Sequence, residues 1–153
     1  MNKEISLKDF RMPGEWEPQK SVWIVWPYNK SDWPELFDNI PHIVCKIVSC
    51  LSLNQNVNLL IRNNRDKNRI KKKLRQFQSK ISNIKFYSIL SNRIWVRDSG
   101  PIFLINQKTK NKVILDFKFN GWSKYNNFQK DDRINLKISK KIKIKKIDPQ
   151  VKI

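Results

Sequence analysis

The sequence predicts a layered α/β fold, and three observations carry that prediction. Short apolar runs rich in β-branched and aromatic residues recur at Val22–Trp26, Val57–Ile61 and Ile84–Leu90. Segments with apolar residues at helical spacing separate them. Two more runs, Ile102–Ile105 and Val113–Phe119, follow the third and are joined by the short polar turn Asn106–Asn111. The last two runs read as an antiparallel hairpin. Strand, helix, strand, helix, strand and hairpin is the order of an α/β layer.

Residues 1–11 form a polar lead-in, and Met1–Phe10 contains no apolar core of a secretory signal. Met12–Gln19 carries two prolines and a glycine and predicts extended loop, with Trp16 and Glu17 as anchors and Trp16 plugging the core edge. Val22–Trp26, bounded by Pro27, predicts a buried strand. Ser31 or Asp32 is placed to cap a helix starting near Trp33–Pro34. Leu36, Ile40, Ile43, Val44, Ile47, Val48 and Leu51 continue that helix, with Pro41 kinking or restarting it. Asn63–Ser79 predicts a second helix with Ile70, Leu74, Phe77 and Ile81 as its apolar stripe. Its basic remainder is read as a solvated face, with a nucleic-acid or membrane helix as the alternative. Residues 133–153 are a Lys/Ile-rich end. There Ile134, Leu136, Ile138, Ile142, Ile144 and Ile147 alternate with polar residues, which predicts a half-buried strand with a Lys-guarded edge.

At 153 residues the chain is the size of one domain, taken as 1–153. The net charge of +19 invites a nucleic-acid or anionic-membrane reading. Lysine, isoleucine and asparagine are all abundant, however, and most of the charge is read as solvated surface lysine. Cys45 and Cys50 fall on different sides of one predicted helix, so neither a disulfide nor a zinc site is implied. His42 and Cys45 share a face, but a closed zinc site needs four ligands. With no apolar run of membrane length, the expected compartment is the cytoplasm.

The chemistry concentrates in Asn92-Arg93-Ile94-Trp95-Val96-Arg97-Asp98-Ser99-Gly100-Pro101. This stretch lies at a strand boundary, where open α/β sheets place ligands. Gly100 can take a positive φ and Pro101 fixes its own, which predicts a stiff turn. Asp98 accepts hydrogen bonds only and suits a planar guanidinium. Trp95 offers a ring face to a cation. The alternative at this point is ordinary ion pairing by Arg97 and Asp98 around a core Trp95. A second aromatic turn, Asn120-Gly121-Trp122 with Lys124-Tyr125, reads either as a pocket rim packing over the Asp98 turn or as a plugged hairpin end.

Trp95-Val96-Arg97-Asp98-Ser99-Gly100-Pro101-Ile102-Phe103 resembles the signature of the agmatine deiminase family, among the guanidine-modifying deiminases and close to the Porphyromonas-type peptidyl-arginine deiminases. Three more stretches resemble the same family in the same order: Met12–Pro18, Trp23–Pro27 and Asp116–Tyr125. The resemblance spans roughly Phe10–Asp132. It implies a pseudo-fivefold α/β propeller of ββαβ modules around a substrate tunnel, present here as a partial, incomplete ring: the N-terminal portion of a deiminase fold.

The resemblance also implies hydrolysis of a linear amidine C–N bond, with agmatine and water giving N-carbamoylputrescine and ammonia on the way to putrescine. Peptidyl-arginine is the other guanidine substrate within its reach. A cysteine thiolate attacks the guanidinium carbon, a histidine shuttles protons and paired carboxylates hold the cation, with no metal and no organic cofactor. Asp98 matches the first guanidinium-binding aspartate and Trp95 the pocket tryptophan, with Arg97, Gly100 and Trp122 as supporting pocket residues. The family's later Glu-Gly-Gly, His-x-Asp and Gly-Gly…Cys segments are absent from these 153 residues. No catalytic role is carried onto Cys45, Cys50 or His42. The chain alone is therefore expected to be inactive. A second chain carrying the C-terminal half is the partner that would complete it, and a basic nucleic-acid or membrane-surface protein is the alternative.

Overall fold

A computed structural model describes residues 7–149, in two open sheets with helices against them. The first three predicted strands are β2 (Ser21–Val25), β3 (Asn56–Ile61) and β4 (Ile84–Ser88), all parallel in the order β2-β3-β4. Helix α1 (Ile40–Asn54) crosses from β2 to β3, and α2 (Asn64–Gln76) crosses from β3 to β4. β1 (Phe10–Arg11) opens the second sheet, whose order is β1-β5-β6-β7. In it β5 (Ile102–Asn106) and β6 (Lys112–Leu115) form the expected antiparallel hairpin, and β7 (Lys145–Ile147) joins β6 in parallel. Three short helices complete the chain: α3 (Val96–Ser99), α4 (Gln129–Asp132) and α5 (Ile134–Ile142). The fold class is mixed α/β, and neither sheet closes among the described residues.

β3 is central and buried on both faces, with Val57, Leu59, Leu60 and Ile61 supplying its apolar contacts and the buried Asn58 satisfied by donating to Ser21 Oγ at 2.8 Å. Its Val57, Leu59 and Ile61 pack against Val44, Cys45 and Val48 of α1 and Ile70 and Leu74 of α2. Leu60, pointing the other way, joins Val25, Ile114 and the α5 residues Ile134 and Ile138 in a second core. That second core fastens one sheet to the other. Each large apolar side chain fully buried this way contributes about 1.5–3 kcal/mol.

Helix α2 is signalled at both ends. The Asn63 side chain accepts from the Asp66 amide at 3.0 Å, and Lys73 and Arg75 sit in the last turn. The end of α1 is latched to the loop after α2. The Lys80 amide donates to the buried Ser52 Oγ at 2.9 Å, and Asn83 Nδ2 donates to the Ser52 carbonyl at 2.8 Å.

Several expectations need correction. The polar lead-in ends in structure, since Phe10 and Arg11 pair antiparallel with Asn106 and Ile105. Helix α1 begins six residues after Pro34. Residues 30–32 form a separate 3-10 turn capped by Asn29, and Pro41 lies in the first turn of α1, where its missing N–H costs nothing. The strand expected at Val113–Phe119 ends at Leu115. Trp16 plugs nothing, with 91% of its surface exposed. Glu17 does anchor its loop, accepting from the Gly14 amide and from both terminal nitrogens of Arg11. That pairing pulls the Glu17 carboxyl down to about 2.

The strand expected from Ile134 onward is a helix as far as Ile142. Ile134 and Ile138 are four apart on one helical face and wholly buried, whereas Leu136, on the opposite face, is exposed. Lys143 ends the helix in the left-handed conformation, φ 56°, with its amide returning to the Ser139 carbonyl. Only Lys145–Ile147 is strand, and it lies at a sheet edge.

Candidate substrate-binding site

The site builds up where the parallel strands end. Beyond β2 the chain turns through Pro27–Leu36, and beyond β4 it runs through Ile89–Trp95 into α3. These are the positions at which an open α/β sheet exposes loops to a ligand.

The Trp95–Pro101 stretch is a single helical turn. Trp95 stands at its start, with its carbonyl accepting from the Asp98 amide at 3.2 Å and the Ser99 amide at 3.3 Å. Gly100 is not left-handed: its φ is −86°. Its need for no side chain comes from a close approach instead, because a Cβ would lie 2.1 Å from the Val96 carbonyl oxygen. The expected positive φ does not occur, and the close approach to Val96 is what calls for glycine here.

Asp98 is exposed, and its carboxylate takes no hydrogen bond or ion pair among the described residues. The ion-pair reading therefore does not hold for it. Arg97 does pair, with Glu15 from the Met12–Gln19 loop, but both side chains are largely exposed and contribute little to stability. Trp95 is not core. It is 44% exposed, and its ring centroid lies 5.9 Å from that of Trp33, which in turn touches Phe37 at 6.3 Å.

The second turn approaches by another route than the one expected. Trp122 contacts Phe119 edge-on at 4.9 Å and Tyr125 at 6.1 Å. Tyr125 does not cover Asp98; it lies flat under the Arg93 guanidinium, 3.7 Å from ring centroid to Cζ. Gly121 has φ +67° and Trp122 φ 56°, so a bulky residue is held in the left-handed region next to glycine. Such backbone strain concentrates at functional sites.

Sequence reasoning missed the residue that joins these loops. Arg93 is buried, and its guanidinium donates to the Asn127 carbonyl at 2.9 Å and Asn127 Oδ1 at 2.8 Å. Its Nε lies 3.3 Å from Asp32 Oδ1, an electrostatic contact without hydrogen-bond alignment. Asp131 Oδ1 accepts from the Asn92 and Arg93 amides at 2.6 and 3.2 Å, and Asn92 Oδ1 accepts from the Lys130 amide at 2.8 Å. Burial pushes the Asp32 carboxyl up, against the pull of Arg93. Burial also raises Asp131, opposed by the two amides it accepts from. The available signal was an arginine, rather than one of the abundant lysines, in a short linker between apolar runs.

The catalytic-type groups of the chain lie elsewhere. Cys45 is fully buried in the core between α1 and the sheet, and burial raises its thiol. Cys50 is exposed on α1. His42 Nδ1 meets the Asp38 carbonyl at 3.2 Å, and its ring lies against Phe77.

The model of the Porphyromonas-type peptidyl-arginine deiminase family matches residues 11–152. The chain belongs to that family. Agmatine deiminase of Pseudomonas aeruginosa is 28% identical over 144 residues, covering 84% of this chain and 34% of its own length. The solved agmatine deiminase of Enterococcus faecalis, described as catalysing its reaction, superposes with a TM-score of 0.79 at 26% identity, over 92% of this chain and 38% of that one. A C. jejuni agmatine deiminase variant solved with substrate bound gives 0.75 at 26% identity, over 95% and 42%. The chain thus spans well under half the length of each of these deiminases, in the N-terminal part of the family fold.

Proposed function

We propose that this chain supplies the guanidinium-recognising part of an agmatine deiminase-type hydrolase. The observation that carries the reading is Asp98: an exposed carboxylate without a partner among the described residues, on a close-packed turn that starts at Trp95, where the parallel sheet ends. Asp98 would accept two parallel N–H bonds from a guanidinium, holding it charged and planar. Held in that state, the central carbon is electron-poor and open to nucleophilic attack. Trp95 would lie against the cation or its alkyl stem, while Arg97, Gly100 and Trp122 keep the turns in place. The net reaction adds water across the amidine C–N bond and releases ammonia, turning agmatine into N-carbamoylputrescine in the cytoplasm.

The nucleophile and the proton shuttle are assigned outside these 153 residues. The inaccessible Cys45 thiol and the helix-bound Cys50 and His42 support that assignment, because none stands at the Asp98 turn. The catalytic partner is a second segment or chain that completes the incomplete propeller ring.

Isothermal titration of the purified chain with agmatine tests the reading. The wild type binds, Asp98→Asn does not, and neither turns agmatine over alone. Turnover appears when a relative's C-terminal half is supplied. Agmatine affinity unchanged by Asp98→Asn removes Asp98 from the site.

One observation favours a second reading. Lys67, Lys71 and Lys85 line a groove of about 410 Å³ with Phe86 and Tyr87 on its wall, a mixture of charge and stacking surface that suits single-stranded nucleic acid. Binding of an oligonucleotide that weakens steeply with salt would support it. No binding at low salt ends it.

A further inference from the structure

The buried group around Arg93 has no role in the reading above. It is an expensive arrangement, since an arginine and an aspartate must both leave water. The carboxylate Asp32 is 7% exposed and Arg93 5% exposed at the side chain, and Asp32 Oδ2 is buried without a partner. A pair of this kind adds little net stability over apolar residues of the same size, so its value lies in what it positions.

What it positions is clear from the chain. Asp32 precedes Trp33, and Arg93 stands two residues before Trp95. The two tryptophans meet ring to ring at 5.9 Å with planes inclined by 46°. The remaining anchors of Arg93, namely Asn127 and the Tyr125 ring, come from the loop that carries Trp122. Three loops from three places in the sequence thus meet on one guanidinium. A lysine could not replace it, because a single ammonium lacks the planar fork that donates twice to Asn127 while stacking on Tyr125 and lying against Asp32.

We propose that Arg93 is a positioning residue. Through Asp32 it fixes Trp33 against Trp95, and this makes Trp33 a second aromatic wall of the cation site beside Asp98. The inference rests on the guanidinium reading for the nature of the ligand. The geometry it asserts does not.

Two measurements on the full chain separate those two parts. Two tryptophans at this separation give an exciton couplet in far-ultraviolet circular dichroism. Trp33→Phe and Trp95→Phe should each abolish it, which assigns it to the pair. Arg93→Lys and Asp32→Asn should then also abolish it while the protein still unfolds cooperatively, and Lys72→Met should leave it intact. A couplet that persists in folded Arg93→Lys and Asp32→Asn overturns the proposal. Should Arg93→Lys fail to fold, Asn127→Ala, which deletes one anchor only, must weaken the couplet, and an unchanged couplet there is equally fatal.

Agmatine titration is the second readout. Trp33→Phe and Arg93→Lys should weaken binding by a similar factor of about ten, the order a desolvated cation–aromatic contact carries. If the wild type binds no agmatine, the guanidinium reading fails, while the couplet still decides whether Arg93 sets the pair. If agmatine binds and Trp33→Phe leaves its affinity unchanged, Trp33 is not a wall of the site.

Discussion

Gly100→Ala tests whether the Asp98 turn is rigid by close packing. The new Cβ would sit 2.1 Å from the Val96 carbonyl oxygen and 2.8 Å from Val96 Cγ2. The side-chain carbon can move by a rotamer change, but the carbonyl belongs to the backbone of α3 and cannot yield without shifting the turn. There is no offsetting backbone penalty to consider, since φ is −86° and alanine adopts that freely. Overpacking of this kind costs about 1–3 kcal/mol, and a backbone partner places this site at the upper end. With a urea slope of about 2 kcal/mol per molar, a 3 kcal/mol loss lowers the unfolding midpoint by about 1.5 M. Urea titration followed by circular dichroism reads that shift directly. Gly121→Ala is the contrasting case: its penalty comes from φ +67° together with a 3.1 Å contact to Phe128 Cβ. Asparagine tolerates the left-handed region, so at Gly121 it should cost less than alanine, whereas at Gly100 it should cost as much or more. Gly100→Ala within about 0.5 kcal/mol of wild type would show that the carbonyl gives way and that the turn is not held as argued.

Three further outcomes follow from particular side chains. Ile138→Ala should lose about 2–5 kcal/mol, because the residue is wholly buried between the two sheets, and a loss below 1 kcal/mol by urea unfolding would mean that α5 does not pack there. Trp16→Ala should leave the midpoint unchanged within about 0.5 kcal/mol despite the size of the side chain; a larger drop would restore the plug the sequence suggested. The Asp32 carboxyl is raised in the folded chain, so the folded state holds its proton more tightly than the unfolded state does. Its contribution to stability is therefore fully present below the ordinary aspartate range and is lost as pH rises through the raised value. Urea midpoints measured from neutral to mildly acidic pH should show that gain towards acid in the wild type and a smaller one in Asp32→Asn. Identical slopes would remove Asp32 as its source.

The fold was legible wherever one period dominated. β3 read as a strand because Val57 and Leu59–Ile61 make a short apolar run of strand length, and such a run fits a strand buried on both faces. Helix α2 carried its cap, its stripe and its basic last turn in the sequence. The chain misled where two periods coincide. Ile134, Leu136 and Ile138 alternate as a strand would, yet Ile134, Ile138 and Ile142 are also spaced four apart. Burial in the second core selected the helical reading, and that core depends on contacts with Val25 and Leu60, more than seventy residues away. No local window contains that information.

The candidate site divides along the same line. Trp95 and Asp98 stood out as candidates through the motif that carries the family resemblance, since local chemistry alone left ordinary ion pairing around a core tryptophan open. Arg93 was not, because a buried charge is defined by its partners, and these come from Asp32, Asn127, Tyr125 and Asp131. In sequence, Ser31 or Asp32 was placed to cap a helix, and Trp122 with Tyr125 read either as a rim over the Asp98 turn or as a plugged hairpin end. Neither reading pointed to Arg93, since a short polar stretch offers many local uses for a carboxylate or a phenol. The dependence runs one way. Asp98 projects from the turn without a partner among the described residues, and the loops behind that turn are tied together by interactions that cost desolvation. A site that binds a cation through one exposed carboxylate needs its aromatic walls fixed in advance, because ordering them at the moment of binding would subtract from a small affinity. In the proposed site the Arg93 group would perform that ordering during folding, so the candidate residues that are easiest to read would depend on the one that is hardest.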